Sequence, residues 1–74
     1  MQVVLPKAVS LTVTVFTLDG DMVKRLYLGP QAAGTYSYIW DGRNNSGDAV
    51  ARGIYFIRVV AGDIDEIRKV LVVK

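Results

Sequence analysis

The sequence predicts an all-β chain, folded as a small antiparallel sandwich of six to seven strands. Three observations carry this. Short runs alternate apolar and polar residues with a period of two, and they are rich in β-branched and aromatic side chains. Gly, Pro, Asn and Asp separate those runs at short intervals, the punctuation of turns. No stretch of about ten residues carries a helical apolar period.

Taken in order, residues 2–6 (QVVLP) read as an edge strand closed by Pro6, which has no N–H to give a ladder. Residues 10–18 (SLTVTVFTL) put Leu11, Val13 and Val15 on one face and Thr12, Thr14 and Phe16 on the other. The Asp-Gly of residues 19–21 predicts a two-residue hairpin turn, and residues 22–28 (MVKRLYL) return as the partner strand. Val23 and Leu26 are three apart, a spacing that strict alternation forbids, so a bulge or a change of side is expected there. Residues 29–34 (GPQAAG) read as a loop. Residues 35–40 (TYSYIW) set Tyr36, Tyr38 and Trp40 along one face, as one wall of the core on a central strand. After the loop DGRNNSGD (41–48), residues 53–61 (GIYFIRVVA) direct Tyr55, Ile57 and Val59 inward. Residues 62–65 (GDID) turn the chain into 66–74 (EIRKVLVVK). No internal repeat, low-complexity tract or linker interrupts the series.

Seventy-four residues hold one domain at most. A chain of this size buries only about 60% of the surface it exposes when unfolded, so the core must be dense, and a hydrophobic content of 51% allows that. The start (MQVVLPKAVS) has no basic segment followed by an apolar one. No apolar run approaches the ~20 residues of a membrane helix. A soluble chain without a targeting signal at its start is expected, with no membrane insertion. The net charge of +2 comes from nine basic residues scattered along the chain rather than gathered in a patch, which argues against nucleic acid.

Cysteine and histidine are both absent. Disulfides, thiolate metal sites, Ser-His and Cys-His nucleophile pairs and the commonest general base are thereby removed. The remaining catalytic candidates are carboxylates: Asp19, Asp21, Asp41, Asp48, Asp63, Asp65 and Glu66. Most fall in predicted turns, where Asp bonds nearby backbone amides. No enzyme activity, cofactor or small-molecule ligand is expected. The loop 41–48 invites a calcium reading, but Arg43 stands at the third position, where a ligand is needed, and Gly47 at the seventh instead of the sixth. A different site using Asp41, Asn45 and Asp48 is the surviving variant; ordinary turn geometry is the better reading. Asn44-Asn45-Ser46 matches a glycosylation sequon, meaningful only in a eukaryotic secretory route. The row Tyr36, Tyr38, Trp40 suits a sugar platform less well than a core wall.

In this order the pieces resemble two related Ig-like families. The resemblance runs through VTVFTLDGDMVKRL (13–26), AAGTYSYIWDGRNNSGDAVARGIYFIRVVAG (32–62) and IRKVLVVK (67–74), and it covers nearly the whole chain from residue 5. The most specific part is the ordered string aaGxYxxxWDGRxxxGxxVxxGxYxxR. One family is the Ig-like domain of flagellar hook-capping (FlgD-type) proteins. The other is the carboxy-terminal sorting domain of type IX secretion cargo. Both imply an Ig-like β-sandwich.

The basic-apolar ending at Lys74 looks like the sorting type. That resemblance implies the carboxy-terminal module of a larger secreted bacterial protein, read by the outer-membrane secretion machinery and delivered to the surface or medium. The alternatives are a structural spacer or assembly domain of FlgD type, packed on neighbouring domains, or an accessory carbohydrate-binding module. The family pattern also implies structural roles. Gly20 makes the first tight turn. Gly34 and Tyr36 start the strand ending at Trp40. Asp41, Gly42 and Arg43 form a corner with Gly47 as its left-handed residue, and Gly53 and Tyr55 open the next core strand. For a sorting signal, the partner-facing surface would be the last hairpin, through Arg58, Arg68, Lys69 and Lys74.

Overall fold

The computed structural model describes residues 1–73 and contains six strands. They are β1 (Gln2–Leu5), β2 (Val9–Thr17), β3 (Met22–Gln31), β4 (Gly34–Ser37), β5 (Gly53–Ala61) and β6 (Ile64–Val72). β1 and β4 form a two-stranded sheet, and the other four form a second sheet in the order β3-β2-β5-β6. Every pairing is antiparallel. This is the all-β sandwich that the alternation predicts. Lys74 lies outside the described residues.

The core follows from the period-two pattern. Leu11, Val13 and Val15 of β2 are fully buried, and in the register they stand beside Ala61, Val59 and Ile57 of β5. Tyr55 continues that row, and Val3 and Leu5 of β1 cover it from the second sheet. The opposite face of β2 carries Thr14, buried although polar, flanked by Arg25 of β3 and Arg58 of β5. Long basic side chains commonly shelter such a position with their methylene stems.

β3 contains the expected irregularity, twice. Val13 pairs with Tyr27 but Thr14 with Arg25, so Leu26 is the extra residue. Val15 pairs with Lys24 but Phe16 with Met22, so Val23 is the second. Each bulge lets an apolar residue out of phase reach the core, and Val23, Leu26 and Tyr27 all pack on it.

Four boundaries differ from the sequence expectation. The first hairpin turns over residues 18–21 rather than over two. Only glycines have positive φ, so Asp19 does not take the left-handed conformation that a two-residue Asp-Gly turn requires. Instead Gly20 sits at φ 91° and donates its N–H to the Thr17 carbonyl over 3.0 Å. β3 continues through Gly29, Pro30 and Gln31, because an edge strand tolerates a proline. β4 stops at Ser37, since β1 offers only four residues to pair with. Tyr36, Tyr38 and Trp40 therefore do not share a central strand, although all three point inward and are half-buried between exposed Ser37 and Ile39. The last turn is Gly62-Asp63 alone, and β6 starts at Ile64.

Candidate functional site

The polar corner between β4 and β5 is the densest cluster of side chains capable of chemistry, and its hydrogen bonds run inward. The Asp41 carboxylate accepts the Arg43 N–H at 3.1 Å, an Asx turn. The Asn44 side-chain oxygen accepts two backbone amides, from Ser46 and Asp48, each at 3.0 Å. Arg43 bends back across the loop, its Nη1 donating to the Gly47 carbonyl at 2.8 Å. Gly47 has φ 84°, the left-handed conformation that closes this turn without a side-chain penalty. Backbone bonds from Asn44 to Asp48 (2.9 Å) and from Val50 to Gly42 (2.9 Å) finish the loop.

Two anchors fix the corner to the body. Trp40 sets its ring edge-on to Tyr55, with centroids 5.1 Å apart at 63°, and its indole N–H donates to the Arg43 carbonyl at 2.8 Å. Asn45 docks on β3: its N–H donates to the Val23 carbonyl at 3.1 Å, and its side-chain oxygen accepts the Arg25 N–H at 3.1 Å. Asn45 thus occupies the open edge of β3 between its two bulges. Lys24 lies 3.6 Å from Asp41 and adds an exposed ion pair.

The other suggested chemistry reads the same way. Of the three oxygen donors proposed for calcium, Asp41 and Asn45 already hold backbone amides. Among the described residues no three His, Cys, Asp or Glu side chains gather into a group able to hold a metal ion. In the aromatic row, Tyr38 tilts against Tyr27 at 6.0 Å, and the Tyr36 hydroxyl donates to the Ala32 carbonyl at 2.7 Å. These rings are half-buried against the core and meet internal partners. The Tyr55 hydroxyl similarly donates to the Ala51 carbonyl at 2.6 Å, which ties the end of the loop to β5.

The cations named for the last hairpin do not share one surface. Arg58 and Lys69 stand on the outer face of the four-stranded sheet, opposite Ile67 and Phe56. Arg68 stands opposite the buried Ile57, on the other face. Arg58 is also engaged: it grips Asp65 with two bonds, Nε to Oδ1 at 2.9 Å and Nη2 to Oδ2 at 2.6 Å. The hydrogen bond from Arg58 holds the Asp65 carboxyl below the usual aspartate range. The pH dependence follows directly. A carboxyl whose folded pKa is depressed stabilises the fold above its unfolded value of about 3.9, and that contribution is lost as pH falls below it. Asp65→Asn is therefore expected to lower the melting temperature slightly at neutral pH and to converge with the parent in acid, so that the acid limb of the profile is flattened. A profile unchanged by the substitution would show that the pair does not couple to folding. Around Arg58, Phe16, Leu18, Phe56 and Ile67 line a shallow apolar groove on the outer face.

Compared with known families, the chain matches the FlgD Ig-like domain over residues 1–65. The chain belongs to that family. Among curated relatives, the basal-body rod modification protein FlgD of Salmonella typhimurium (strain LT2) is 35% identical over 52 residues, 70% of this chain and 22% of that protein. The protein of the same name from Salmonella typhi is 35% identical over 52 residues, with the same coverage. The match thus takes in a minor part of those relatives. Both findings fall on the FlgD side of the two resemblances, the side opposite to the one that the tail suggested.

In this FlgD-type Ig-like domain, the organising residues that the sequence reading undervalued are Asn44 and Asn45. Both appeared in a sequon, and the second also as a possible cation ligand. The signal that could have found them is turn chemistry. An Asn two residues before Ser-Gly-Asp is well placed to accept backbone amides two and four residues on, as Asn44 does.

Proposed function

We propose that the chain is a non-catalytic structural module, serving as an assembly or spacer domain in a longer flagellar protein of FlgD type. The observation that carries this reading is the state of the polar corner. Its Asp, Asn, Arg and Trp groups bond to the loop's own backbone and to β3. Catalytic and binding residues instead tend to keep perturbed or unsatisfied groups aimed into a cleft. Among the described residues, every buried side-chain nitrogen or oxygen has a hydrogen-bond partner. The family match supports the FlgD assignment over the sorting one. The partners this reading implies are neighbouring domains of the same protein, outside the cytoplasm, and not a nucleic acid or a small molecule.

A chimera tests it. Residues 1–74 are placed in the corresponding segment of the Salmonella FlgD, and swimming is scored in soft agar. Swimming restored above a null strain is expected. In parallel, the same residues are fused behind a reporter in a host with type IX secretion, where the reporter is expected to stay in the periplasm. Reporter on the cell surface, with no rescue by the chimera, would overturn the structural reading in favour of sorting.

A further inference from the structure

The two edges of the large sheet are treated differently. β3 is bulged twice, contains Pro30 and is covered by Asn45. These are familiar ways of blocking strand addition. β6 has none of them. It runs nine residues in unbroken register with β5 and contains no proline. Among the described residues, no other element bonds to its outer side. The two-residue turn closes on the pair Ala61 and Ile64. Antiparallel alternation then directs the backbone groups of Asp65, Ile67, Lys69 and Leu71 toward the open edge.

What would occupy that edge is written in its side chains. We propose that β6 pairs antiparallel with β6 of a second copy about a two-fold axis at Ile67, joining two sheets into one of eight strands. In that register Ile67 meets its own mate. Glu66 faces Arg68, Asp65 faces Lys69, and Ile64 faces Val70. Each charged pair has opposite signs and occurs twice by symmetry. The faces agree as well: Asp65 and Lys69 share the outer face, while Glu66 and Arg68 share the inner one. The register is specific. Moving the axis one residue toward the amino terminus sets Glu66 against Glu66, and one residue the other way sets Arg68 against Arg68. All four charges are solvent-accessible in the single chain, and Glu66 and Arg68 are only 4.0 Å apart along it. Glu66, Arg68 and Lys69 can therefore turn to a partner strand without leaving a buried charge, while Asp65 keeps its two bonds to Arg58 and meets Lys69 from that pair. Ile67, 61% exposed, and Leu71, 65% exposed, extend the outer apolar face from both copies.

Sedimentation velocity on the 74-residue chain tests this, because the mass of 8.1 kDa should double as concentration rises. The dimer is expected to be weak, as befits a small interface. Glu66→Arg or Arg68→Glu alone turns two cross-strand pairs repulsive and should weaken dimerisation by about tenfold or more. The double exchange, Glu66→Arg with Arg68→Glu, restores opposite signs and should restore the dimer. Circular dichroism confirms that each variant folds. Amide exchange gives a second readout: at high concentration Asp65, Ile67 and Lys69 should gain protection, while Glu66 and Arg68 are protected throughout. A chain that stays monomeric to about 1 mM overturns the proposal, at a concentration where even weak contacts register. So does a dimer indifferent to the single reversals, or one that the exchange fails to restore, since either would use another surface.

Discussion

Leu11→Ala is expected to cost about 3–4 kcal/mol, near the middle of the range for truncating a buried leucine. Leu11 is fully buried on β2, the strand flanked by β3 and β5, and faces the row that includes Ala61 and Val59. No neighbour can fill the gap without disturbing the register on both sides. Domain stabilities of about 0.05–0.15 kcal/mol per residue put a chain of this size at roughly 4–11 kcal/mol. The loss is therefore a large share of the total. Equilibrium urea unfolding followed by far-ultraviolet circular dichroism measures it. Leu28→Ala is the control: Leu28 lies on β3 with 62% of its surface exposed and should change stability by no more than about 0.5 kcal/mol. Equal losses at the two positions would mean that the faces of the large sheet have been assigned the wrong way round.

The faces themselves were legible in the sequence. The alternation of residues 10–18 and 53–61 assigns Leu11, Val13, Val15, Tyr55, Ile57 and Val59 to the core, and all six are buried. The three-residue spacing of Val23 and Leu26 announces the bulged edge. Boundaries were less legible, because they depend on partners that a local pattern does not contain. β4 is short because β1 is short, and Pro30 stays in β3 because that strand has an open side. The corner was visible as a cluster, with turn geometry its better reading and Asp41, Asn45 and Asp48 the ligand alternative. That Asn44 is turned onto the amides of Ser46 and Asp48, and Asn45 onto β3, is set by loop closure in three dimensions. The tail was the weakest guide. Its basic-apolar ending suggested a sorting signal, whereas the family match rests on residues 1–65 and leaves most of that tail outside.

The central claim is that the Trp-Asp-Gly-Arg corner closes the fold and is not a site waiting for a ligand. Trp40 is where that claim is most exposed. Its ring is half-buried and edge-on to Tyr55 at 5.1 Å, an arrangement worth about 0.5–1.5 kcal/mol beyond its area. Its indole N–H holds the Arg43 carbonyl, and Arg43 in turn crosses the loop to Gly47. Trp40→Ala removes the packing, the ring pair and the hydrogen bond together, and the expected loss is about 3 kcal/mol. Trp40→Phe keeps most of the packing and loses the donor, for about 1 kcal/mol. The most direct measurement is the unfolding free energy of Trp40→Ala against the parent chain, read by circular dichroism because the substitution removes the only tryptophan. A loss near 3 kcal/mol, with the phenylalanine variant in between, is the predicted result. A change within about 0.5 kcal/mol, the range of an ordinary surface substitution, would contradict the account and return the aromatic row to the list of binding surfaces.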